Sequence, residues 1–304
     1  MGGVEIGDEN EATLGRVLSR PRYEVIPTKG TEDWARDLPK EAKVTVTCSP
    51  AKGVEATLSL AERLAKQGFR VVPHISARLV ADEAHLEEIV RRLDSLGVRE
   101  IFVIGGDARK PVGPFSGALD LLSAMAQLGH GFEDVGIGGY PERHPIIDDD
   151  TLCRALRNKQ PFATYIVSQM CFDPQTIVDW VADIRRRGIR LPTIVGVPGV
   201  VDKKRLFVIS RKIGVGDSAR FLKKHTGLVG SLLVNVLRFG SYSPDGLVKG
   251  LAPYVGDQDY NITGFHVYTF NQIERTEEWR HQILNGEGAL GSTPALRRKR
   301  RDGA

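Results

Sequence analysis

Cysteine is scarce in this sequence and long apolar runs are missing, and each absence excludes something. Cys48, Cys153 and Cys171 are the only three cysteines. They stand far apart with no CxxC pair, which argues against a disulfide framework and a zinc site and fits a reducing, cytoplasmic setting. No stretch approaches the roughly 18 uninterrupted apolar residues of a membrane span. The start carries Glu5, Asp8, Glu9 and Glu11 instead of the basic-then-apolar order of a secretory leader, so a soluble, uncleaved chain with no membrane partner is expected. There is no GxxxxGK[ST] phosphate loop. His74, His144 and His266 fall on separate segments with no i, i+4 pairing, so no metal centre is expected. Positive charge is only slightly in excess, at +4, and much of it sits in Arg297, Arg298, Lys299, Arg300 and Arg301. That pattern reads as a solvated tail, and no nucleic-acid partner is expected.

Present instead is a regular alternation. With 304 residues, 41% of them hydrophobic and 26% charged, the chain has material for a large core. Short β-rich runs recur: YEVI from Tyr23, KVTVTC, FRVVPHI, REIFVIGGD, DVGIGGYP, ATYIVSQM, LPTIVGVP and NITGFHVYTF. Each precedes a segment with apolar residues at helical spacing, such as Leu86, Ile89, Val90 and Leu93. Nearly continuous apolar strands joined by helices suit a parallel sheet. Eight such units in about 260 residues match the count and size of an α/β (β/α)8 TIM barrel. Periodicity does not show closure, so a doubly wound open sheet is the alternative. Residues 201–255 exceed one helix and are expected to hold two or three. With no repeat or linker, the expected layout is a loose segment over 1–20, one barrel domain over 21–286 and a basic flexible tail over 287–304.

A barrel builds its site from the carboxyl ends of its strands, and the polar residues there form a coherent set: Glu24, Thr45 and Thr47, His74, Asp107, Tyr140, Glu142 and His144, Gln169, then Tyr268 and Asn271. Glu24 lies among apolar neighbours; pointing inward it would serve as a general acid, and pointing outward it would be an ordinary charge. Gly105, Gly106 and Asp107 form a turn that admits a ligand close to backbone, without being a GxGxxG fingerprint. His74 reads as a core histidine, Gln169 as barrel filling and Cys171 as inert packing. IGGYPERHP, from Ile137 to Pro145, concentrates an aromatic, two charges and a histidine in a loop stiffened by two prolines.

GGYPERHP resembles the AYPExHP signature of the methylenetetrahydrofolate reductase family, VSQMCFD (Val167 to Asp173) resembles its ITQxFFD signature, and FHVYTFN resembles its closing FHFYTxN strand. The resemblance runs from about Tyr23 to Leu284. It implies a (β/α)8 barrel that binds FAD and reduces 5,10-methylenetetrahydrofolate with NADH or NADPH. By resemblance Glu24 is the acid that helps protonate folate N10, and Asp107 lies near flavin and pterin. Gln169, Tyr268 and Gln272 fall on the folate side. Thr47, His74, Gly106, Tyr140, His144 and Lys159 fall on the cofactor side, and Glu142 becomes a loop-ordering residue. The family's RGD turn has lost its arginine to Gly105, and Gln272 stands where many members have a basic residue. Arg78, Arg109, Arg143 and Lys159 are the candidates to replace these cations. Direct transfer from NADH without a flavin is one alternative, and a folate-binding or methyl-transfer subunit that takes its electrons from another protein is a second. A homo-oligomer is compatible with the sequence.

Overall fold

The structure, a computed structural model, describes residues 8–144, 146–202 and 241–285. Eight parallel strands close into a barrel: β1 (Arg22–Val25), β2 (Lys43–Val46), β3 (Arg70–Ser76), β4 (Glu100–Ile104), β5 (Asp134–Gly139), β6 (Tyr165–Ser168), β7 (Thr193–Pro198) and β10 (Ile262–Tyr268). Around the barrel the order is β1, β10, β7, β6, β5, β4, β3, β2, so closure falls between the first strand and the last. The eight strands are those expected from the apolar runs, and the open-sheet alternative is excluded.

Helices α2 (Thr31–Trp34), α3 (Gly53–Lys66), α4 (Glu83–Ser95), α5 (Ala118–Leu128), α6 (Asp149–Lys159) and α7 (Pro174–Arg186) connect successive strands. Their starts follow local chemistry. The carboxylates of Asp82, Asp148 and Asp173 accept from the backbone amides of His85, Thr151 and Gln175, satisfying donors that a helix start leaves open. Pro174 takes the first position of α7, where its missing amide costs nothing. Helix α5 begins at Ala118, and ahead of it the amides of Ser116 and Gly117 bond to the Asp120 carboxylate. On α4, Leu86, Ile89, Val90 and Leu93 are all buried, as their spacing requires.

One correction concerns the amino-terminal edge. Residues 8–18, expected to be loose, form α1 (Asp8–Leu18), whose Leu14 and Leu18 are buried beside β10 and the last helix. Of the long stretch after β7, β8 (Val201–Asp202) pairs antiparallel with β9 (Ser241–Tyr242), followed by α8 (Asp245–Leu251). The further helices expected there, and the basic tail, lie outside the described residues. Helix α9 (Ile273–Leu284) closes the barrel wall.

The barrel interior is stratified. At the amino ends Glu100 pairs with both Arg22 and Lys43, and the Arg22 guanidinium lies 4.3 Å from the centre of the Tyr165 ring. Above them Val72, Phe102, Tyr165, Val167 and Ile194 form an apolar layer. Gly136 makes room for Tyr165, since a Cβ there would lie 2.4 Å from its ring. Glu100→Ala leaves two cations without their partner and should cost about 3 kcal/mol of stability, measurable by urea denaturation at neutral pH.

Candidate functional site

Strand β1 continues into a loop fastened to the loop after β10. The Glu24 carbonyl accepts from the Thr269 hydroxyl at 2.6 Å, and the Asn271 side chain bonds both the amide and the carbonyl of Ile26. Asn271 adopts φ 59°, in the region that asparagine tolerates better than most residues. Glu24 is held at the seam by backbone bonds before its side chain makes any contact.

That side chain points inward. Strands β1 and β3 do not pair, being separated by β2, yet Nε2 of His74 on β3 lies 3.9 Å from Glu24 Oε2, a contact available only through the barrel interior. On the other side His266 Nε2 lies 3.1 Å from the same oxygen. Both histidines are buried, and the carboxylate is 16% exposed toward the mouth. Burial lowers the His74 pKa to about 4, with Glu24 opposing and His266 adding to the shift, so His74 is neutral at neutral pH. His74 is buried with its ring centroid 4.7 Å from that of Phe102, and its Nε2 has no hydrogen-bond partner among the described residues.

Tyr268 completes this cluster. Its ring meets His266 edge-on at 4.9 Å and its hydroxyl donates to the Ser168 carbonyl at 3.0 Å. Burial, with Glu24 and Tyr140 nearby, raises its pKa well above the ordinary value, so it stays protonated. Gly196 admits the ring, since a Cβ there would meet both the Ser168 carbonyl and Tyr268.

The turn after β4 is held by one arginine. Arg78 donates to the carbonyls of Ala108, Arg109 and Ser116 at 2.7–2.9 Å, and its amide donates to Gly105. With its guanidinium committed to three carbonyls, Arg78 does not replace the cation missing at Gly105. Gly106 sits at φ 91°, and a Cβ there would lie 1.9 Å from the Ser76 hydroxyl. Asp107 is exposed beyond it, close enough to Tyr140 to help burial raise the tyrosine's pKa.

After β5, Tyr140 and His144 meet edge-on at 5.2 Å. The amides of Ile146 and Ile147 both donate to His144 Nδ1, which leaves Nε2 to carry the proton of the neutral ring. Arg143, at φ 69°, pairs with Asp149. Glu142 lies against the buried Cys171 thiol; burial and this carboxylate raise the thiol's pKa, so Cys171 is unreactive packing. A cavity of about 370 Å³ opens between this loop, α6 and α7, bounded by Tyr140, Arg143 and Lys159 among others. Lys159 makes no ion pair among the described residues, and desolvation lowers its pKa to about 8. The same cavity is lined by Asp149, Asp179 and Asp183 as well as by Arg143 and Arg187, so its charge is mixed.

Among the remaining candidates, Gln169 bends back so that its side-chain oxygen accepts from the Met170 amide. Thr47 is tied by its amide to Val25 and by its carbonyl to Thr57. Gln272 stands at the start of α9, bonded through its backbone to Thr269 and Thr276. Glu24, His74 and Tyr268 thus form one cluster, while Tyr140 and Lys159 border the cavity beside α6 and His144 packs against Tyr140. Sequence reasoning weighed His266 only as a metal ligand and missed it as a partner of Glu24. The signal was its position two residues before Tyr268, which puts both on one face of a strand. Among the described residues no group of His, Cys, Asp and Glu is arranged to hold a metal ion, and no helix is long and apolar enough to cross a membrane.

A closed parallel barrel with polar side chains gathered where its strands end defines a (β/α)8 protein with its site in the βα loops. The profile of the family described as methylenetetrahydrofolate reductase matches residues 33–215, and the chain belongs to that family. It is similar to "Methylenetetrahydrofolate reductase 1" of Schizosaccharomyces pombe, 28% identical over 120 residues, covering 37% of this chain and 20% of that protein. It is also similar to "Methylenetetrahydrofolate reductase (NADH) 1" of Arabidopsis thaliana, 25% identical over 211 residues, covering 60% of this chain and 35% of that protein. These matches span at most about a third of the relatives' own lengths.

Gly106→Ala combines an unfavourable φ with a collision against Ser76. It should lower stability by about 1–3 kcal/mol, read as an earlier midpoint in denaturant with an unchanged slope.

Proposed function

We propose that this chain reduces 5,10-methylenetetrahydrofolate to 5-methyltetrahydrofolate with hydride from NAD(P)H, carried by FAD. The observation that carries the reading is the inward Glu24 carboxyl, 3.1 Å from His266 and open toward the mouth. Reduction requires the bond between the methylene carbon and N10 to break. Its electron pair stays on N10, which takes a proton, and the carbon remains on N5 as an iminium that accepts hydride. Glu24 is the group placed to give that proton. Tyr268, fixed through Ser168, offers a ring face and an edge for a pterin. Gln169 follows β6 and Gln272 follows β10, with β7 between them in the barrel, and both would lie on the folate side.

No side chain donates hydride, so a bound carrier must do so; FAD, when bound, would supply a two-electron store between nicotinamide and folate. The residues that would hold it are Thr47, His74, Gly106, Asp107, Tyr140, His144 and Lys159. Of these, the Lys159 ammonium and the donor Nε2 of His144 suit an anionic dinucleotide. The family name and the relatives' names support the substrate class. A second reading is direct transfer from NADH. It is favoured by Gly105, which brings no cation to the turn, and by Arg78, whose guanidinium is occupied by carbonyls.

The visible spectrum separates these readings. A band near about 450 nm that bleaches with NADH and returns with methylenetetrahydrofolate is expected for the flavin reading. A colourless protein that oxidises NADH only when the folate is present favours direct transfer. Absence of NADH oxidation in both states overturns the reductase reading and leaves a folate-binding or methyl-transfer subunit. Glu24→Gln should slow turnover by about 100-fold or more while leaving folate binding nearly unchanged; a fully active variant would refute the assigned acid. Affinity for NADH or FAD should weaken as pH rises through about 8, where Lys159 loses its charge, and Lys159→Met should abolish that dependence in a fluorescence titration.

A further inference from the structure

Glu24 has one side-chain hydrogen-bonding partner among the described residues, His266 at 3.1 Å. We propose that His266 is the positioning residue of Glu24: its Nε2–H grips Oε2 and turns Oε1, with its proton, toward folate N10. This role rests on the reductase reading. The groups facing the carboxyl are few. From β3 comes His74, whose 3.9 Å separation exceeds a hydrogen bond. From β10 come His266 and Tyr268, the latter with its hydroxyl committed to Ser168. From β2 comes Thr45, which aligns with Glu24 in the sheet, does not titrate, and directs its hydroxyl toward the Tyr23 carbonyl. His266 is therefore the only one of these that bonds the carboxyl.

The tautomer follows from burial. His266 Nδ1 is buried with no partner. An orphaned acceptor is tolerated better than an orphaned N–H, so the neutral ring keeps its proton on Nε2, facing the carboxyl. The ring cannot swing away easily, because it stands against Tyr268 on one side and His74 on the other, with centroids 4.9 and 6.4 Å distant. The Glu24 main chain is fixed by Thr269, three residues after His266. Side chain and backbone of the acid are thus both held by one strand and its exit, leaving one oxygen free. In turnover the Oε1–H bond breaks as N10–H forms, and solvent returns the proton; His266 gives up none of its own.

The test compares His266→Leu with His266→Gln, whose amide nitrogen reaches about as far as Nε2. In the leucine variant kcat should fall about 10-fold or more, with KM for methylenetetrahydrofolate within about 3-fold. A fall in kcat with KM held reports lost orientation of the acid, not lost binding. The glutamine variant should recover most of the lost kcat. Wild-type kcat in His266→Leu would overturn the proposal. If the wild-type protein itself does not turn over, the reductase reading fails, and histidine-labelled 15N NMR still decides the pairing. Glu24→Gln should shift the Nε2 resonance of His266; an unmoved resonance refutes the contact. That measurement also serves if His266→Leu does not fold.

Discussion

The seam between β1 and β10 is the constraint on which the site depends. A barrel closes only if its first and last strands find each other, and here the closing register sets Glu24 opposite Tyr268. Thr269 and Asn271 then tie the exit of the last strand to the exit of the first. The bonds that complete the fold are also the bonds that orient the acid. Sequence-distant residues, separated by nearly the whole chain, are brought into one plane by closure alone.

The two ends of the barrel treat charge differently. At the amino ends Arg22, Lys43 and Glu100 neutralise one another under the Tyr165 ring, which makes that end a matter of stability. At the carboxyl ends charge is only lightly held: a carboxyl beside a histidine that burial keeps neutral, and a lysine that makes no direct ion pair among the described residues. Desolvated groups without full partners are expensive in a folded protein, and they cluster where a ligand would supply the missing interactions.

Much of the barrel was legible because buried parallel strands and amphipathic helices leave simple patterns; Leu86, Ile89, Val90 and Leu93 needed only their spacing. The direction of Glu24 was not legible, since in a four-residue strand with apolar neighbours either face could be inside. Its orientation follows from the outer neighbour, Tyr23, whose hydroxyl is bonded to Glu277 on α9, a contact far away in sequence. Helix α1 was missed because its acidic start dominates the composition, while only Leu14 and Leu18 pack deeply. Arg78 was read as a spare cation; the three carbonyls that occupy it lie 30 to 38 residues away.

Gly136 beneath Tyr165 and Gly196 against Tyr268 are reciprocal fits, in which the volume absent from one strand is the volume of a ring on another. Along a line of descent neither member of such a pair is free to drift alone. At 196 a smaller residue at 268 would not be enough, because a Cβ there would also lie 2.2 Å from the Ser168 carbonyl, so the ring beside Glu24 is bounded by the backbone of its neighbour. Its identity is decided as much by packing history as by chemistry.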